Sequence, residues 1–362
     1  MRVGIIGLGR ITTLLEEDPL RYKPCTHSGA MRQFNHIYQR TVFQIEALCD
    51  LDPIRLRLAR DKLPAALWDT DYRRLLRRQA ARPLDLLVIG SWTESHSRIA
   101  TAAIHCGIRS LVIEKPLALD YAEAAGLLKL ARRFGCQIWL NFERRYHPGY
   151  IKIKHLVDQK EFGPLRAIRG RVLGVGGPAI GSREGPLLHD GIHWLDLLQW
   201  YAGPPVAVRG RMQTSIENPA VETTAWLDLQ YPEVLASLEC GGQRSYFEFQ
   251  IELDFAAGRI ESSNSGQRFF EARESRLYSG FRDLHEIEAP ALPPLLQPTF
   301  SNPWLNLYES VYTSWKRNKY RPTVRRGLHS TPSNLNSAMQ GLQMIQDFYK
   351  FADRIQLTRP TP

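Results

Sequence analysis

The chain opens with MRVGIIGLGR, residues 1–10, and this stretch indicates the class of the first part of the fold. Val3 to Ile6 form a short apolar run that stops at glycines, which is typical of a buried parallel strand. A glycine-rich turn follows, made of Gly7, Leu8, Gly9, Arg10 and Ile11. Thr12 stands where a G-x-G-x-x-G/A pattern has its third small residue. A strand followed by such a turn predicts a site that cradles phosphate groups.

The two glycines have separate predicted roles. Gly7 permits the tight bend, and Gly9 lets the backbone approach a pyrophosphate, while a following helix is expected to point its first amides at the same anion. Thr12 and Asp50 are 38 residues apart, more than the roughly 20 that such a unit needs. Residues 16–30 therefore look inserted, close to the phosphate-binding turn.

Asp50 ends the second predicted strand and bears on the choice of cofactor. A carboxylate at this position accepts hydrogen bonds from an adenosine ribose and repels a 2′-phosphate, which favours NAD over NADP. The alternative is a helix-capping aspartate in front of Pro53, and the nearby Arg55 and Arg57 weaken the preference for NAD. The sequence predicts NAD as cofactor, with NADP as the less favoured choice.

Strands and helices alternate over the first 143 residues. Apolar runs predict further strands at 43–53, 85–91, 110–116 and 136–142. Helical patterns cover 94–107 and 119–135, the latter with Asp120 as N-cap and Gly135 as the stop. This alternation predicts an α/β fold with a doubly wound parallel sheet, a Rossmann domain over residues 1–143.

The pattern changes after about residue 145, and a second domain is predicted over 144–362. Five runs alternate between apolar and polar residues, as in an open, mostly antiparallel sheet with one face in water. These runs lie at 165–174, 206–215, 223–231, 235–242 and 246–255. The sequence thus predicts an α+β domain over these residues, and a resemblance described below implies that it carries the substrate-binding and oligomerisation surfaces.

Composition narrows the class of protein. The chain has 362 residues, 43% of them hydrophobic, and no run reaches the roughly 18 to 20 apolar residues that span a bilayer. The N-terminus lacks the order of a signal peptide, and the five cysteines are scattered without a CxxC pair. These features predict a cytoplasmic protein with reduced thiols and no membrane partner.

The net charge of +10 raises the question of a nucleic-acid partner. The basic pairs are dispersed along the chain and form no single tract, so no nucleic-acid partner is predicted. A small ligand that bears phosphate is the favoured reading. Five arginines near the candidate site would suit an anionic substrate: Arg144, Arg145, Arg169, Arg171 and Arg183.

Three motifs carry a resemblance to a known family. TESH (93–96), EKPLAL (114–119) and RRYHPGY (144–150) occur in the order found in the Gfo/Idh/MocA oxidoreductases, which include glucose–fructose oxidoreductase and inositol dehydrogenase. The glycine turn and the strand end at Asp50 add to the likeness. The resemblance implies a Rossmann domain that binds NAD(P), a second domain with an open sheet, and a homodimer or homotetramer.

The resemblance also implies a set of site residues. Lys115 would contact both the cofactor and a substrate hydroxyl, and the peptide before Pro116 is commonly cis in the family. Other residues would line the cofactor: Ser91, Trp92, Thr93, His96, Glu114 and Asn141. Hydride leaves a carbinol carbon only as its hydroxyl proton is lost, so a base must lie within hydrogen-bond reach. A desolvated lysine or a histidine can serve.

The stretch GPLLHDGIHWLD, residues 185–196, holds the remaining candidates. In the relatives this helix reads D-x-x-x-H. Here His193 matches the histidine, but His189 stands four residues before it, and Asp190 lies at the i, i+3 spacing instead. Three hypotheses remain open: His193 is the acid/base, oriented by Asp190 and working with Lys115; His189 takes over part of the proton transfer; or the activity is altered or lost.

Two further interpretations apply to this helix. His189 and His193 at i, i+4 have good zinc spacing, but no HExxH motif, nearby cysteine or third ligand accompanies them, so no metal is predicted. A polar stripe without function is the other interpretation. The leading hypothesis is an NAD-dependent oxidoreductase acting on a secondary alcohol or ketone of a sugar, polyol, inositol or sugar nucleotide. The alternative is a non-catalytic NAD(P)-binding sensor on the same fold.

Overall fold

The structure is a computed structural model that describes residues 1–63, 65–174, 183–242, 244–320 and 335–356. The chain divides into two compact units. The first unit combines Met1–Pro148 with Pro298–Met339, and the second combines Gly149–Gln297 with Gln340–Pro362. In the described part of the chain, no helix has both the length and the apolar content needed to cross a membrane.

The first unit contains a parallel sheet. Its strands are β1 (Arg2–Ile6), β2 (Gln44–Cys49), β3 (Leu67–Asp69), β4 (Leu86–Ile89), β5 (Ser110–Ile113) and β6 (Gln137–Leu140). They run parallel in the order β3-β2-β1-β4-β5-β6, so the order reverses between β1 and β4. This is the order of a Rossmann fold, whose ligands bind at the carboxyl ends beside that switch point. The predicted doubly wound sheet is confirmed.

Helices connect the strands of this sheet. They are α1 (His27–Ile37), α2 (Pro53–Lys62), α3 (Tyr72–Gln79), α4 (Thr93–His105) and α5 (Tyr121–Phe134). The predicted ends of α5 are confirmed, because Asp120 accepts a hydrogen bond from the Glu123 amide and Gly135 adopts a left-handed φ of 61°. Strand β3 was not predicted, since it is three residues long and its Trp68 is 45% exposed.

The helix after the glycine turn differs from the expectation. Only a short 3-10 helix, Leu14–Glu17, follows the turn, and the first regular α-helix begins at His27. The His27 amide nevertheless donates to the Ile11 carbonyl (3.2 Å), and the Ser28 amide donates to Thr12 (3.0 Å). Helix α1 therefore continues from Ile11 and Thr12, and the residues between are looped out. The insertion suspected at 16–30 corresponds to this loop.

The second unit is built on a mixed sheet. Its elements are α6 (Pro148–Gln159), β7 (Leu165–Leu173), a π-helical turn (Leu187–Gly191), α7 (Ile192–Ala202), β8 (Ala207–Thr214), β9 (Glu222–Gln230), β10 (Leu235–Gly241), β11 (Glu248–Phe255), β12 (Gly258–Ser263), β13 (Gly266–Glu274) and β14 (Arg282–Ile287). The strand order, ending in a C-terminal strand β15 (Asp353–Gln356), is β14-β13-β12-β11-β7-β10-β9-β8-β15. Two neighbouring pairs are parallel and the other pairs are antiparallel, as predicted.

Strand β7 shows how the two faces of this sheet differ. A Cβ atom added at Gly170 would lie 1.9 Å from Nε1 of Trp194 on α7, so glycine permits the close approach of helix and strand. Ile168 and Val172 are buried and share that face through the two-residue period. Arg169 and Arg171 therefore point to the opposite face. There, Arg169 pairs with Glu252 (3.0 Å) and with Asp254 on β11.

The C-terminal part of the chain explains why each unit is made of two separate stretches of sequence. Helix α8 (Pro303–Tyr320) packs against α1 in the first unit, where Trp304 and Tyr308 join the buried cluster around Phe34 and Phe43. The predicted division into 1–143 and 144–362 did not include this return. Helix α9 (Leu335–Phe351) belongs mainly to the second unit and is followed by strand β15.

Candidate active site

The glycine turn is braced by Asp50. The Leu8 amide donates to Oδ2 of Asp50 at 2.6 Å, and the Asp52 amide donates to Oδ1 at 2.8 Å. Asp50 is 8% exposed at the end of β2, whereas the cap of α2 is Asp52, whose side chain accepts from the amides of Ile54 and Arg55. The capping alternative for Asp50 is therefore wrong, and its carboxylate stays at the strand end where a ribose would bind.

The two glycines of the turn meet different surroundings. Gly7 has a φ of +87°, and an added Cβ would lie 2.5 Å from backbone atoms of Gly90 and Ser91. Above Gly9 the nearest heavy atom to an added Cβ is Nη1 of Arg55, at 3.9 Å. Open space beside a backbone turn, with a guanidinium at its edge, fits a phosphate group. Arg10 and Ile11 complete the turn, exposed and half-buried respectively.

The residues assigned to the cofactor by resemblance lie at the carboxyl ends of β4, β5 and β6. Ser91 and Trp92 follow β4, and Thr93 begins α4. His96 is buried, with Nδ1 2.8 Å from the Pro116 carbonyl and Nε2 2.9 Å from the Ser91 carbonyl, so its ring joins the ends of β4 and β5. Lys115 follows β5 directly, and the Lys115–Pro116 peptide is cis.

Four buried side chains surround the end of β5, and we call them the Glu114 cluster: His27, Glu114, Asn141 and Tyr308. Oε1 of Glu114 lies 2.8 Å from Nε2 of His27 and 2.6 Å from the donating Nδ2 of Asn141. Nδ1 of His27 lies 2.8 Å from the Tyr308 hydroxyl. His27 and Tyr308 are fully buried, and the Glu114 side chain is 9% exposed. The Glu114 carboxylate is thus held away from water by side chains from three other segments.

The electrostatics of this cluster favour an ionised Glu114. Burial alone would raise the pKa of Glu114, but the contacts with His27 and Asn141 and the nearby Lys115 hold it below its ordinary value. Burial and the Glu114 charge together raise the pKa of Tyr308 well above its ordinary value, so that its hydroxyl keeps its proton. The carboxylate therefore carries its charge at neutral pH.

The candidate helix of the second unit begins with a π turn over Leu187–Gly191 and continues as α7; residues 187–202 are called the histidine helix. A π turn takes one more residue than an α turn, and such turns are frequent at functional sites. The α-helical spacing that predicted Asp190 beside His193 therefore does not apply unchanged here. His193 is 8% exposed.

His189 lies in a different environment from His193. The His189 side chain is 59% exposed, with Nδ1 3.7 Å from Oε1 of Glu184 and 3.9 Å from Oδ1 of Asp190. The Asp190 side chain is itself 46% exposed. In the described part of the chain, no group of three or more His, Cys, Asp or Glu residues is placed to hold a metal ion.

The start of the histidine helix is fixed by a buried acid on β9. Oε1 of Glu222 accepts the Leu187 amide at 2.6 Å, and Oε2 accepts the Tyr349 hydroxyl at 2.5 Å. Burial raises the pKa of Glu222, against the effect of these two donors. Glu222 is fully buried, so its contacts tie the first turn of the helix to β9 and α9.

The five arginines that were expected to suit an anionic substrate mostly contact other groups of the protein. Arg169 and Arg171 face away from α7, and Arg171 lies 3.9 Å from Glu248. Arg144 pairs with Glu143 at 2.7 Å, and the buried Arg145 donates to the Ser337 hydroxyl at 2.7 Å. Arg183 is exposed. These contacts engage four of the five arginines with protein groups, and an anionic substrate stays a prediction.

Sequence reasoning missed His27, Tyr308, Glu184 and Glu222. His27 contacts Glu114, and Tyr308 contacts His27, across large separations along the chain, so no local spacing could reveal them. Glu222 is the one of these residues with a local signal. It is a charged residue at the start of β9, where the first four positions are all buried. A buried carboxylate needs hydrogen-bond donors, and these come from distant elements.

Comparison with known protein families matches both units. Residues 1–142 match the family described as "Oxidoreductase family, NAD-binding Rossmann fold", and residues 150–261 match the "GFO/IDH/MocA C-terminal domain". The inositol 2-dehydrogenase of Salmonella typhimurium is 25% identical over 202 residues, which are 55% of this chain and 54% of that protein. The chain thus matches about half the length of this curated relative. Inositol 2-dehydrogenase 2 of Paenarthrobacter aurescens is 26% identical over 249 residues, 66% of this chain and 68% of that protein.

Solved structures share the fold over nearly the whole chain. The WlbA dehydrogenase from Bordetella pertussis, in complex with NADH and UDP-GlcNAcA, aligns with a TM-score of 0.71 at 18% identity and covers 97% of this chain and 95% of that chain. At this identity the likeness concerns the fold alone.

Proposed function

Because the chain belongs to the Gfo/Idh/MocA family of oxidoreductases, whose N-terminal domain is an NAD-binding Rossmann fold, we propose that it is an NAD-dependent dehydrogenase or reductase. Its reaction would move a hydride between nicotinamide and a secondary alcohol or ketone. The substrate class would be a sugar, polyol, inositol or sugar nucleotide. The relatives named for inositol and the structure with a bound sugar nucleotide support this class.

One observation carries the proposal: Lys115 and an open glycine turn lie at the same carboxyl edge of one parallel sheet. The turn leaves the backbone at Gly9 accessible, with Arg55 at its edge, and Lys115 directly follows β5. Dinucleotides bind along this edge in Rossmann folds. The cofactor would be held by Gly7, Leu8, Gly9, Arg10, Ile11, Asp50, Ser91, Trp92, Thr93, His96, Glu114, Lys115 and Asn141.

The residues of the chain would orient the substrate and move its proton. Bound nicotinamide would supply the hydride acceptor or donor. Lys115 would donate a hydrogen bond to the reacting oxygen and lower the cost of negative charge on it. His193 would accept the hydroxyl proton in the oxidative direction and return it in reduction. Asp190 or His189 would stand in for the aspartate of the D-x-x-x-H pattern.

A non-catalytic NAD(P)-binding sensor is the second candidate. One observation favours it. The helix lacks the D-x-x-x-H pattern of catalytic relatives, and its Asp190 lies at ion-pair distance from His189. The two functions are separated by turnover: a protein that binds NADH tightly but reduces or oxidises no member of a panel of inositols, sugars and sugar nucleotides would be the sensor.

A fluorescence titration with NADH and NADPH tests the proposal. Wild type is expected to prefer NADH, and Asp50→Asn is expected to lose that preference, since the charge that repels a 2′-phosphate is gone. Asp52→Asn is the matched control, because it removes a neighbouring charge while asparagine still caps α2. Failure of the wild type to bind either cofactor would rule out the dehydrogenase.

We also propose that the chain assembles with copies of itself. A homodimer or homotetramer is the family expectation, and no nucleic-acid partner is proposed. Sedimentation velocity of the purified chain at two salt concentrations tests both points, the first through the assembly size and the second through co-sedimentation with added duplex DNA.

A further inference from the structure

The Glu114 cluster joins the two ends of the proposed cofactor site. His27 is the first residue of α1, and its amide continues the turn that starts at Gly9 by donating to Ile11. Its ring contacts Glu114 at the end of β5, 87 residues further along the chain. One residue thus ties the phosphate-binding turn to the segment that holds Lys115. The edge of the ring is further packed by Trp304, 4.9 Å away between ring centroids.

The protons in this cluster can be assigned from its chemistry. Because an ionised Glu114 can only accept, Nε2–H of His27 donates to its Oε1, which also accepts from Asn141. Nδ1 of His27 lies 2.8 Å from the Tyr308 hydroxyl. The carboxylate thus receives two donors.

The position of Glu114 bears on which redox form of the cofactor its charge attracts. The first three strands of a Rossmann sheet serve one mononucleotide half of a dinucleotide, and β4 to β6 serve the other. Asp50 lies at the adenosine half, so the nicotinamide half falls to the strand ends where Glu114 lies. The oxidised nicotinamide ring carries a positive charge and the reduced ring is neutral. A fixed carboxylate at this end therefore attracts the oxidised ring more strongly.

We propose that His27 is a positioning residue that fixes the Glu114 carboxylate at the end of β5, where it favours binding of NAD⁺ over NADH. This inference rests on the proposed function. Other charged or titratable groups act on Glu114 as well: Lys115 beside it in sequence, Glu143 after β6, and Tyr308 on α8. His27 differs from these three in contacting the carboxylate directly from the helix that continues the glycine turn.

The test compares two substitutions of His27. His27→Leu removes the donor and keeps an apolar side chain of similar bulk, whereas His27→Gln keeps an amide donor that reaches Glu114. NAD⁺ and NADH affinities are measured for each protein by calorimetry between pH 6 and pH 9. His27→Leu is expected to lower the NAD⁺ over NADH preference about tenfold at pH 7, because the buried carboxyl keeps the Asn141 donor but loses that of His27, and so takes up a proton.

In His27→Leu the preference should recover as the pH rises and Glu114 ionises. His27→Gln should follow the wild type across the whole range. A packing role alone would change both affinities together and would not make their ratio depend on pH. An unchanged ratio in His27→Leu overturns the inference while leaving the dehydrogenase intact, whereas a wild type that binds neither cofactor removes the proposed function itself.

A second variant covers the case in which His27→Leu does not fold. Tyr308→Phe removes one hydroxyl and leaves both rings in place, so that Nδ1 of His27 loses this contact. It is expected to shift the ratio of affinities in the same direction by about two- to threefold. A ratio equal to that of the wild type in this variant would likewise overturn the inference.

Discussion

The Glu114 cluster and the histidine helix both set a histidine beside a carboxylate, but in opposite environments. His27 is fully buried, 2.8 Å from Glu114, while His189 is 59% exposed, 3.7 Å from Glu184. A buried pair at hydrogen-bond distance is directional, and the loss of one partner leaves a charge stranded. An exposed pair at the longer distance contributes little and can rearrange. The buried pair is thus held in one arrangement, whereas the exposed pair is only weakly constrained by its ionic contact.

The largest expected effect separates the two histidines of the histidine helix. His193→Ala is expected to lower kcat by about 10²- to 10⁴-fold, the usual contribution of general acid–base catalysis, while NADH affinity changes little. His189→Ala is expected to lower kcat by less than about tenfold, because an exposed histidine can be replaced by water. Steady-state kinetics on an accepted polyol or sugar nucleotide measure both. A larger loss in His189→Ala would transfer the acid/base role to that residue.

The glycine turn offers a matched pair with separable effects. Gly7→Ala is expected to destabilise the fold by about 2–4 kcal/mol, since its φ is positive and the new Cβ meets the backbone at Gly90. Gly9→Ala should leave the free energy of unfolding within about 1 kcal/mol, yet weaken NADH binding at least about tenfold by filling the phosphate approach. Urea unfolding and NADH titration read the two properties. Unaltered NADH affinity in Gly9→Ala would place the phosphates elsewhere.

The same contrast explains what the sequence could predict. The parallel sheet, the caps of α5 and the residues at the strand ends follow from local patterns, including the motifs EKPLAL and TESH, which predict the cofactor end. The partners of Glu114 could not be predicted, because burial of a carboxylate is settled by His27 and Tyr308, which approach it only in the folded chain. For the histidine helix, the π turn changes the α-helical spacing on which the prediction of Asp190 beside His193 depended, so that pairing stays a prediction.

A smaller effect concerns the buried acid that holds the histidine helix. The pKa of Glu222 is raised in the folded protein above its unfolded value of about 4.3. The stability that its protonated form contributes is present below that value and is lost as the pH rises toward the folded pKa. Glu222→Gln removes the titration and keeps an acceptor for the Leu187 amide.

Thermal unfolding at several pH values checks this sign. The Tm of Glu222→Gln minus that of the wild type is expected to increase as the pH rises from 4, because only the wild type has a carboxyl to ionise at this position. Asp196→Asn, a buried change on the same helix, controls for a general response of this region. A gap between the two proteins that narrows with rising pH would contradict the assignment.

The smallest expected effect concerns the exposed pair of Glu184 and His189. Glu184→Gln is expected to change the free energy of unfolding by no more than about 0.5 kcal/mol, with any change vanishing at high salt. Glu114→Gln, the same chemical change in the buried cluster, should cost about 2–3 kcal/mol at every salt concentration, because an amide presents a poorer acceptor to His27 and Asn141. Urea unfolding at 0.05 M and 1 M NaCl distinguishes the two. Equal costs would mean that burial does not separate the clusters, and a salt-independent loss in Glu184→Gln would make Glu184 a fixed partner of His189.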